Sequence, residues 1–265
     1  VRNLLVVSEV ALSLVLLIGA GLLIKSFLNI LNTDPGFDAR NLLTMQLSLK
    51  VDKGEGRKVL NFFTEAQSRI AALPGVEAAA YSNGLPLTGA TDTAFAIEGR
   101  PKPEPGQGPQ TMLYVTSPTY LQAMGIRLVK GRFFTEQDTQ SSPRVVVIDE
   151  AFARQQFPDQ DPIGQRLAGN EDNPSAEIVG VVAHVKHFGL DSEERIKSQL
   201  YLPFNQAPDE VLPMLAPRMN LVLRTTADPL GLAAAVRREV HALDPNQPVY
   251  NVTTMEQTLD QSLAT

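Results

Sequence analysis

The strongest constraint on this chain is a nearly unbroken apolar run over residues 4–24, LLVVSEVALSLVLLIGAGLLI. A helix rises 1.5 Å per residue, so about 20 apolar residues are enough to cross the hydrocarbon core of a bilayer. Polar residues bound the run, with Arg2 and Asn3 before it and Lys25 after it. The run predicts a transmembrane helix within residues 1–33, with the remaining chain attached on one side.

Two alternatives for this run stay open, a cleaved signal peptide and a buried core helix. A signal peptide has an apolar stretch of about 7–15 residues followed by small residues at its cleavage site. Here the small residues Gly19, Ala20 and Gly21 lie inside the run. A spanning helix is therefore the preferred interpretation. Arg2 and Lys25 flank opposite ends, so the distribution of positive charge does not orient the helix.

Glu9 is the exception within the run. A carboxylate in hydrocarbon costs several kcal/mol unless it is paired, neutralised or able to reach the interface. The preferred interpretation is a side chain that reaches the headgroups or faces a neighbouring helix. A role in partner pairing or gating is the alternative.

Composition excludes several classes of function. The net charge of −6 argues against a nucleic-acid-binding surface. The chain has no cysteine, which excludes disulfides, thiol catalysis and cysteine-based zinc sites. It has no tryptophan and few aromatic residues, which argues against a stacking platform for carbohydrate or single-stranded nucleic acid.

Two segments far apart in the chain follow the same strand–helix–strand plan. Each has an alternating apolar strand, a helix with apolar residues three and four apart, and a second strand: 42–50, 59–73 and 76–82 in the first unit, and 219–225, 232–243 and 249–253 in the second. Asp228 is suited to cap the second helix, with Pro229 at its first position. Two such units predict a ferredoxin-like layer of helices on a four-stranded sheet. Two unrelated crossovers in a larger α/β sheet are the alternative.

The stretch between the units, residues 84–217, has a different texture. Five prolines between positions 86 and 109 mark irregular exposed chain. Strands are predicted at 94–98, 112–115, 144–148, 177–185 and 199–203, and short helices at 118–124, capped by Ser117, and 150–157, capped by Asp149. The predicted fold is therefore α+β. Its ferredoxin-like subdomain is discontinuous, comprising residues 34–83 and 218–265, and a smaller α+β subdomain is inserted at 84–217.

Motifs for catalysis or ligand binding are not found in the sequence. His184 and His187, with Asp191 nearby, would suit zinc on one helical face, but they follow a β-branched run in which a period of two places them on opposite faces. A loop at the end of a strand is the preferred interpretation. Residues 170–173 (NEDN) lack the spacing and the glycine of a calcium loop, which favours a solvated turn.

Carboxylate pairs and glycines have simpler explanations. Asp149 with Glu150 suits a helix start, and Asp159 with Asp161 suits a polar turn. The chain has no GxxxxGK[ST] loop for a nucleotide and no GxSxG turn for a nucleophilic serine. We therefore expect no catalytic, cofactor-binding or metal-ligating residues, and an interaction or transmission role; the binding residues stay unassigned.

Several segments, in the right order, resemble the periplasmic core domain of MacB-type ABC transporter permeases. Residues 125–134 (GIRLVKGRFF) resemble its GI-x-L-x-x-GR-x-F signature, and 145–167 its VVI-(N/S)-E…P-x-x-D-P-(I/L)-G segment. Residues 177–190 resemble its VVGVVGDV strand, with Ala183-His184 where Gly-Asp is usual. Residues 249–263 resemble the segment that leads into the next membrane helix. The opening 27 residues are similar to the helix that precedes this domain in duplicated permeases of the acidobacterial type.

The resemblance implies a ferredoxin-like "porter" subdomain with an inserted "sabre" subdomain. It places six residues in the inserted part, where glycine and proline suit fixed turns rather than ligand binding: Gly125, Gly131, Arg132, Asp161, Pro162 and Gly164. It also implies a non-catalytic domain that passes ATP-driven motion from the membrane to a periplasmic substrate or partner.

The implied partners are a cytoplasmic ABC ATPase, the other permease helices, the lipid bilayer and a periplasmic adaptor protein, in a dimeric transporter without cofactors. The implied location is the bacterial inner membrane, with the N-terminus cytoplasmic and the main domain periplasmic. Glu9 then lies near the cytoplasmic end of its helix. Two alternatives stay open: an FtsX-like permease that controls a cell-wall hydrolase or senses an antibiotic, and the ligand-sensing domain of a one-helix receptor. An enzyme is the weakest interpretation.

Overall fold

A computed structural model of the chain describes residues 2–31, 34–89, 91–101, 103–104, 107–169, 174–187 and 198–263. Contacts divide the chain into two units, Val1–Pro35 and Gly36–Thr265. The first contains helix α1 (Arg2–Leu31), which confirms the helical conformation expected for the apolar run. Its large apolar side chains between Leu12 and Ile24 are 54–74% exposed. Among the described residues, a helical stretch with the length and apolarity of a membrane span is not found.

The second unit alternates strands with helices. Its strands are β1 (Leu42–Leu47), β2 (Val76–Ser82), β3 (Thr91–Ala94), β4 (Gln110–Thr116), β5 (Leu128–Gly131), β6 (Val145–Asp149), β7 (Arg166–Leu167), β8 (Ala176–Val182), β9 (Gln199–Pro203), β10 (Met219–Thr225) and β11 (Val249–Thr254). Its helices are α2 (Gly56–Ala71), α3 (Tyr120–Met124), α4 (Glu150–Gln156), α5 (Leu212–Leu215), α6 (Ala233–Leu243) and α7 (Met255–Leu263).

The strands form one sheet in the order β11-β1-β10-β2-β4-β9-β6-β8-β5, with β3 added to β4 and β7 to β8. The first four strands in this order, β11, β1, β10 and β2, pair antiparallel with their neighbours. Each of the two predicted strand–helix–strand units is present. Strands β2, β9 and β10 have the bounds expected from the sequence. The prediction of one fold that combines helices and strands is thus confirmed at the level of a mixed α/β structure.

The sheet narrows to a single register pair at its middle. Strands β2 and β4 pair only at Ser82 and Thr116. Asn83 strengthens this junction, because its Oδ1 accepts a hydrogen bond from the Val115 amide at 2.8 Å and its own amide donates to the Val115 carbonyl at 3.2 Å. The four strands from β11 to β2 are therefore linked to the rest of the sheet by a short stretch of backbone.

Helices α2 and α6 cover one face of the first four strands and form the α2–α6 core. The predicted apolar stripe of α2 is buried there, from Val59 to Ile70. Phe63, Tyr81 and Phe204 contact one another within this core, with ring centroids 4.9–5.7 Å apart. The segment 204–216, which follows β9, therefore packs against α2 through Phe204, with Leu212 and Ala216 in the same core.

The opposite face of these strands is buried as well, in what we call the α3–α7 core. It contains Leu42 of β1, Tyr120 and Met124 of α3, and Met255 at the start of α7. The alternating apolar pattern of residues 42–50 is typical of a strand that buries one face only, but Thr44 on the other face is buried as well, so that expectation was wrong. The second face of β1 is buried because α3 and α7 pack against it, and the pattern within the strand carries no information about these distant helices.

A third cluster, the α4 core, lies on the far half of the sheet and contains Phe152 and Phe157. In this half the strand predicted at 94–98 is displaced, because β3 ends at Ala94 and Ile97 makes only an isolated bridge to Leu167. Pro109 precedes the partner strand β4 and has no amide hydrogen to extend the ladder. Strands β5 and β7 were not predicted, and β8 ends three residues earlier than expected.

The predicted helix caps are partly confirmed. Asp149 caps α4 by accepting a hydrogen bond from the Phe152 amide at 2.8 Å. Asp228 caps a 3-10 turn, Pro229–Leu232, that precedes α6. Ser117 does not cap α3: the N-cap position is Thr119, and the Ser117 hydroxyl instead accepts from the Tyr81 amide at 3.1 Å.

Candidate functional site

A guanidinium on β10 binds three main-chain carbonyls that come from two distant parts of the chain. Arg224 donates from Nε to the Ala123 carbonyl at 3.0 Å, from Nη2 to that of Asp38 at 2.8 Å, and from Nη1 to that of Arg40 at 2.5 Å. Its side chain is only 13% exposed. Hydrogen bonds from a charged donor in a partly desolvated position are strong, so Arg224 fixes α3 and the chain before β1 to the sheet.

The segment held in this way is residues 36–41, which we call the joint segment. Phe37 anchors it in the α3–α7 core and is 7% exposed. The Asp38 amide donates to the Met124 carbonyl at 3.0 Å, and Thr225 donates to the Asn41 carbonyl from its amide and from its hydroxyl. The joint segment is therefore bonded to β10 and α3 along its length and is unlike a flexible linker.

The joint segment contains a carboxylate, Asp38, that lies close to two guanidinium groups, those of Arg40 and Arg224. Asp38 accepts bidentate hydrogen bonds from Arg40 at 2.9 and 2.8 Å. These bonds hold the pKa of Asp38 below its usual value; burial opposes this, and the Arg40 amide and the charge of Arg224 reinforce it. Burial lowers the pKa of Arg224, while the nearby Asp38 and Glu77 carboxylates raise it.

Two glycines let the backbones approach closely around the joint segment. Gly36 has φ +84°, and an added Cβ would collide with the carbonyl of His184. Gly125, at φ +66°, is the left-handed C-cap of α3. An added Cβ there would lie 3.0 Å from Asp38 Cβ and 3.4 Å from Arg224 Nη2. Gly125, which the family resemblance singled out, therefore has a physical role beside the joint segment.

Helix α7 packs into the same core as the joint segment. Met255 is fully buried and Leu259 packs against the α3–α7 core that contains Phe37. The hydrogen bonds that Arg40 donates to the Asp38 carboxylate raise the pKa of Arg40, and the charge of Glu256 in the first turn of α7 makes a smaller contribution in the same direction. The segments just before β1 and just after β11 therefore meet in one place.

Arg132 and Gly131 fix an edge of the sheet. Arg132 makes a bidentate ion pair with Asp138 at 2.8 and 2.9 Å, and Asp138 is 5% exposed. Burial alone would raise the pKa of Asp138, but Arg132 and the Thr135 amide lower it overall. Gly131, at φ +70°, lies so close to the Val179 carbonyl that a side chain would collide with it.

Asp161, Pro162 and Gly164 form a turn that contacts the same edge. Asp161 pairs with Lys130 at 2.7 Å and accepts from the Ile163 amide at 3.1 Å. The Gly164 amide donates to the Ile178 carbonyl at 2.9 Å, and Gly164 has φ +84°. These contacts hold the turn against strands β5 and β8.

The two histidines lie in the loop that follows β8 and have different partners. His184 Nδ1 lies 2.5 Å from the fully buried carboxylate of Asp149, whereas His187 Nδ1 lies 2.9 Å from the Tyr114 hydroxyl. Sequence reasoning assigned Asp149 to the cap alone and missed its contact with His184. In the described ranges, no three metal-ligating side chains converge. Asp191 and residues 170–173 lie outside the described residues.

Comparison with solved structures supports the fold. The periplasmic region of MacB from Actinobacillus actinomycetemcomitans aligns with a TM-score of 0.56 and 16% identity, over 89% of this chain and 98% of that one. A domain of a putative permease protein from Porphyromonas gingivalis aligns with a TM-score of 0.51 and 18% identity, over 82% of this chain and 92% of that one.

Comparison of sequences identifies the family. The macrolide export ATP-binding/permease protein MacB of Aggregatibacter actinomycetemcomitans is 27% identical over 99 residues, which are 37% of this chain but 15% of that protein. The family model for the MacB-like periplasmic core domain matches residues 4–241, most of the chain. The chain therefore belongs to the MacB-like periplasmic core domain family, the periplasmic part of MacB-type ABC transporter permeases.

Proposed function

We propose that this chain transmits ATP-driven motion from the membrane to a periplasmic substrate or partner of an ABC permease. The observation that carries the proposal is the binding of the joint segment by Arg224. The joint segment begins five residues after α1 ends. A displacement that reaches residue 36 therefore moves β10 and α3, since no flexible stretch within 36–41 can absorb it.

The proposal assigns α1 as the transmembrane helix, with its N-terminus cytoplasmic and Gly36–Thr265 in the periplasm. The length of the apolar run and its exposed side chains support this assignment. Glu9 then lies near the cytoplasmic interface. The expected partners are a cytoplasmic ABC ATPase, the remaining permease helices, the bilayer, an adaptor protein and a second copy of the permease. This role needs no catalytic residue or cofactor in the chain.

The proposal also divides Gly36–Thr265 into two moving parts. The strand order β11-β1-β10-β2 is that of a ferredoxin-like porter subdomain, formed by residues 34–83 and 218–265. Residues 84–217 form the inserted sabre-like subdomain. Because segment 204–216 packs in the α2–α6 core, we propose that it moves with the porter part. The single pair between β2 and β4 is the natural pivot.

Distances between spin labels in the assembled transporter test this function. The chain has no cysteine, so introduced cysteines are its only labelling sites. Labels on exposed positions of α6 and α4, Arg237→Cys with Arg154→Cys, report on the two parts. We expect their separation to change when the ATPase binds ATP. Labels on α2 and α6, Arg57→Cys with Arg237→Cys, lie within one part and should keep a constant separation.

The result discriminates between the candidate functions. An α6–α4 separation that does not respond to ATP would contradict transmission through this domain. A separation that responds, in a transporter that exports no macrolide, would favour the regulatory permease. Macrolide is the probe because it is the substrate class in the name of the MacB relative.

A further inference from the structure

A cavity of about 680 Å3 lies on the sheet face between β4, β6 and β9 and the segment that follows β9. Leu113 and Leu202 line it, with Ala176 and Val211 among its other residues. We propose that this cavity binds a small amphipathic molecule with an apolar body and one carboxylate. This inference goes beyond the proposed function, because transmission of motion does not require the domain to bind a small molecule. Such binding can also be measured without transport.

The apolar part of the cavity lies between the α2–α6 core and the α4 core. Leu113 and Leu202 are partly buried and pack against both the α2–α6 core and the α4 core. Between those cores a gap separates the sheet face from the segment that follows β9, so an apolar molecule can bury surface there. A volume of about 680 Å3 falls in the range of about 300–1,000 Å3 that is usual for small-molecule sites.

One cation on the cavity wall is not compensated by the described part of the protein. Three described arginines are half-buried: Arg144, Arg166 and Arg224. Arg166 bonds Glu98 and Ser175, and Arg224 binds three carbonyls. Arg144 lines the cavity, and its guanidinium makes no ion pair or hydrogen bond with any described residue. A half-buried guanidinium gains more from an anionic partner than an exposed one does, which points to a carboxylate.

The other polar groups of the cavity do not compete for this role. The Gln206 amide is fully used, since its Nε2 donates to Ser142 and Pro143 and its Oε1 accepts from the Val145 amide. Glu210 also lines the cavity at an exposed position, but it makes no ion pair with Arg144. A second negative charge on the ligand would be repelled by Glu210, which favours a monocarboxylate.

Calorimetric titration of the full chain in phosphatidylcholine nanodiscs tests the inference, with empty nanodiscs as the blank. The probes are octanoate, octylammonium and octanol, which share one apolar tail. We expect saturable octanoate binding at least tenfold tighter than that of the other two. Arg144→Gln should weaken octanoate about tenfold and leave octanol unchanged, as loss of a charge-assisted hydrogen bond requires. Arg154→Gln, at an exposed position of α4, is the matched control.

Two variants locate the site independently of charge. Ala176→Phe and Val211→Phe add bulk from different cavity walls, and each should abolish octanoate binding while the circular dichroism spectrum stays native. If one variant misfolds, the other still decides. Absence of saturable octanoate binding, equal binding of octanoate and octanol, full affinity in Arg144→Gln, or full affinity in a folded cavity-filling variant would each overturn the proposal.

Discussion

Arg224 lies 2.8 Å from the carbonyl oxygen of Asp38 through Nη2, and its Nη1 lies 3.8 Å from the carboxylate of the same residue. One side chain on a central strand therefore contacts both the backbone and the charge of the joint segment. Because the same guanidinium also binds the Ala123 carbonyl, α3 and the joint segment share one anchor.

Replacing this anchor should loosen the joint segment. Arg224→Lys keeps the charge, but an ammonium cannot match the planar set of donors that reaches three carbonyls. We expect a loss of about 2–3 kcal/mol in the free energy of unfolding, because an ammonium can keep at most one of three charge-assisted bonds that are only partly shielded from water. Urea denaturation measures it, with Arg237→Lys on the exposed side of α6 as control. Equal stability of the two variants would show that Arg224 is not an anchor.

A glycine pair separates backbone strain from crowding at the joint segment. Gly125→Ala should cost about 1–2 kcal/mol of stability because alanine disfavours the left-handed conformation. The contact of the new Cβ with Asp38 should add a further loss. Gly99→Ala is the control, since Gly99 has φ +81° but nothing within 4 Å of an added Cβ. Thermal unfolding of both variants gives the comparison. Equal losses would mean that contact with Asp38 costs nothing.

The ion pair of Arg132 with Asp138 predicts a loss of stability in acid. The folded pKa of Asp138 lies below its ordinary value of 3.8, so its contribution is fully present above that pH. The contribution is lost as the pH falls through the lower, folded pKa. Asp138→Asn should therefore flatten the fall in unfolding free energy below pH 3.8.

Urea titrations at several pH values measure this change. Asp92→Asn, at an exposed position of β3, provides the reference for removing one carboxylate. A pH profile of Asp138→Asn that matches the profile of Asp92→Asn would contradict the assignment.

A covalent link across the proposed pivot should separate transport from ATP hydrolysis. Ala176→Cys with Val211→Cys places thiols on two walls of one cavity, where a bismaleimide can bridge them. We expect macrolide transport by the assembled transporter to stop while basal ATP hydrolysis continues. The control pair, Gln46→Cys with Asn220→Cys, joins register partners of β1 and β10 within one part. Transport that persists after bridging the first pair would refute a moving pivot.

The sequence predicted elements whose signals are local. Strands β2 and β10 have clear apolar patterns and end at turn residues, so their bounds were correct. Strand β5 was missed because its four residues are all exposed and show no apolar alternation. Arg224 was not identified as a site residue, because its acceptors are backbone carbonyls 101, 184 and 186 positions away. Because every residue has a backbone carbonyl, the residue types at the acceptor positions do not indicate that a hydrogen bond forms there.

The use of backbone acceptors by Arg224 also determines how the residues around it can vary among related chains. The three closest acceptors of Arg224 are peptide oxygens, which every amino acid carries. Side chains at positions 38, 40 and 123 can therefore diverge while the hydrogen bonds persist, whereas the arginine itself has no equivalent substitute. A search for this anchor in distant relatives should follow the position of one guanidinium on the strand that corresponds to β10, not a sequence motif around the residues that it holds.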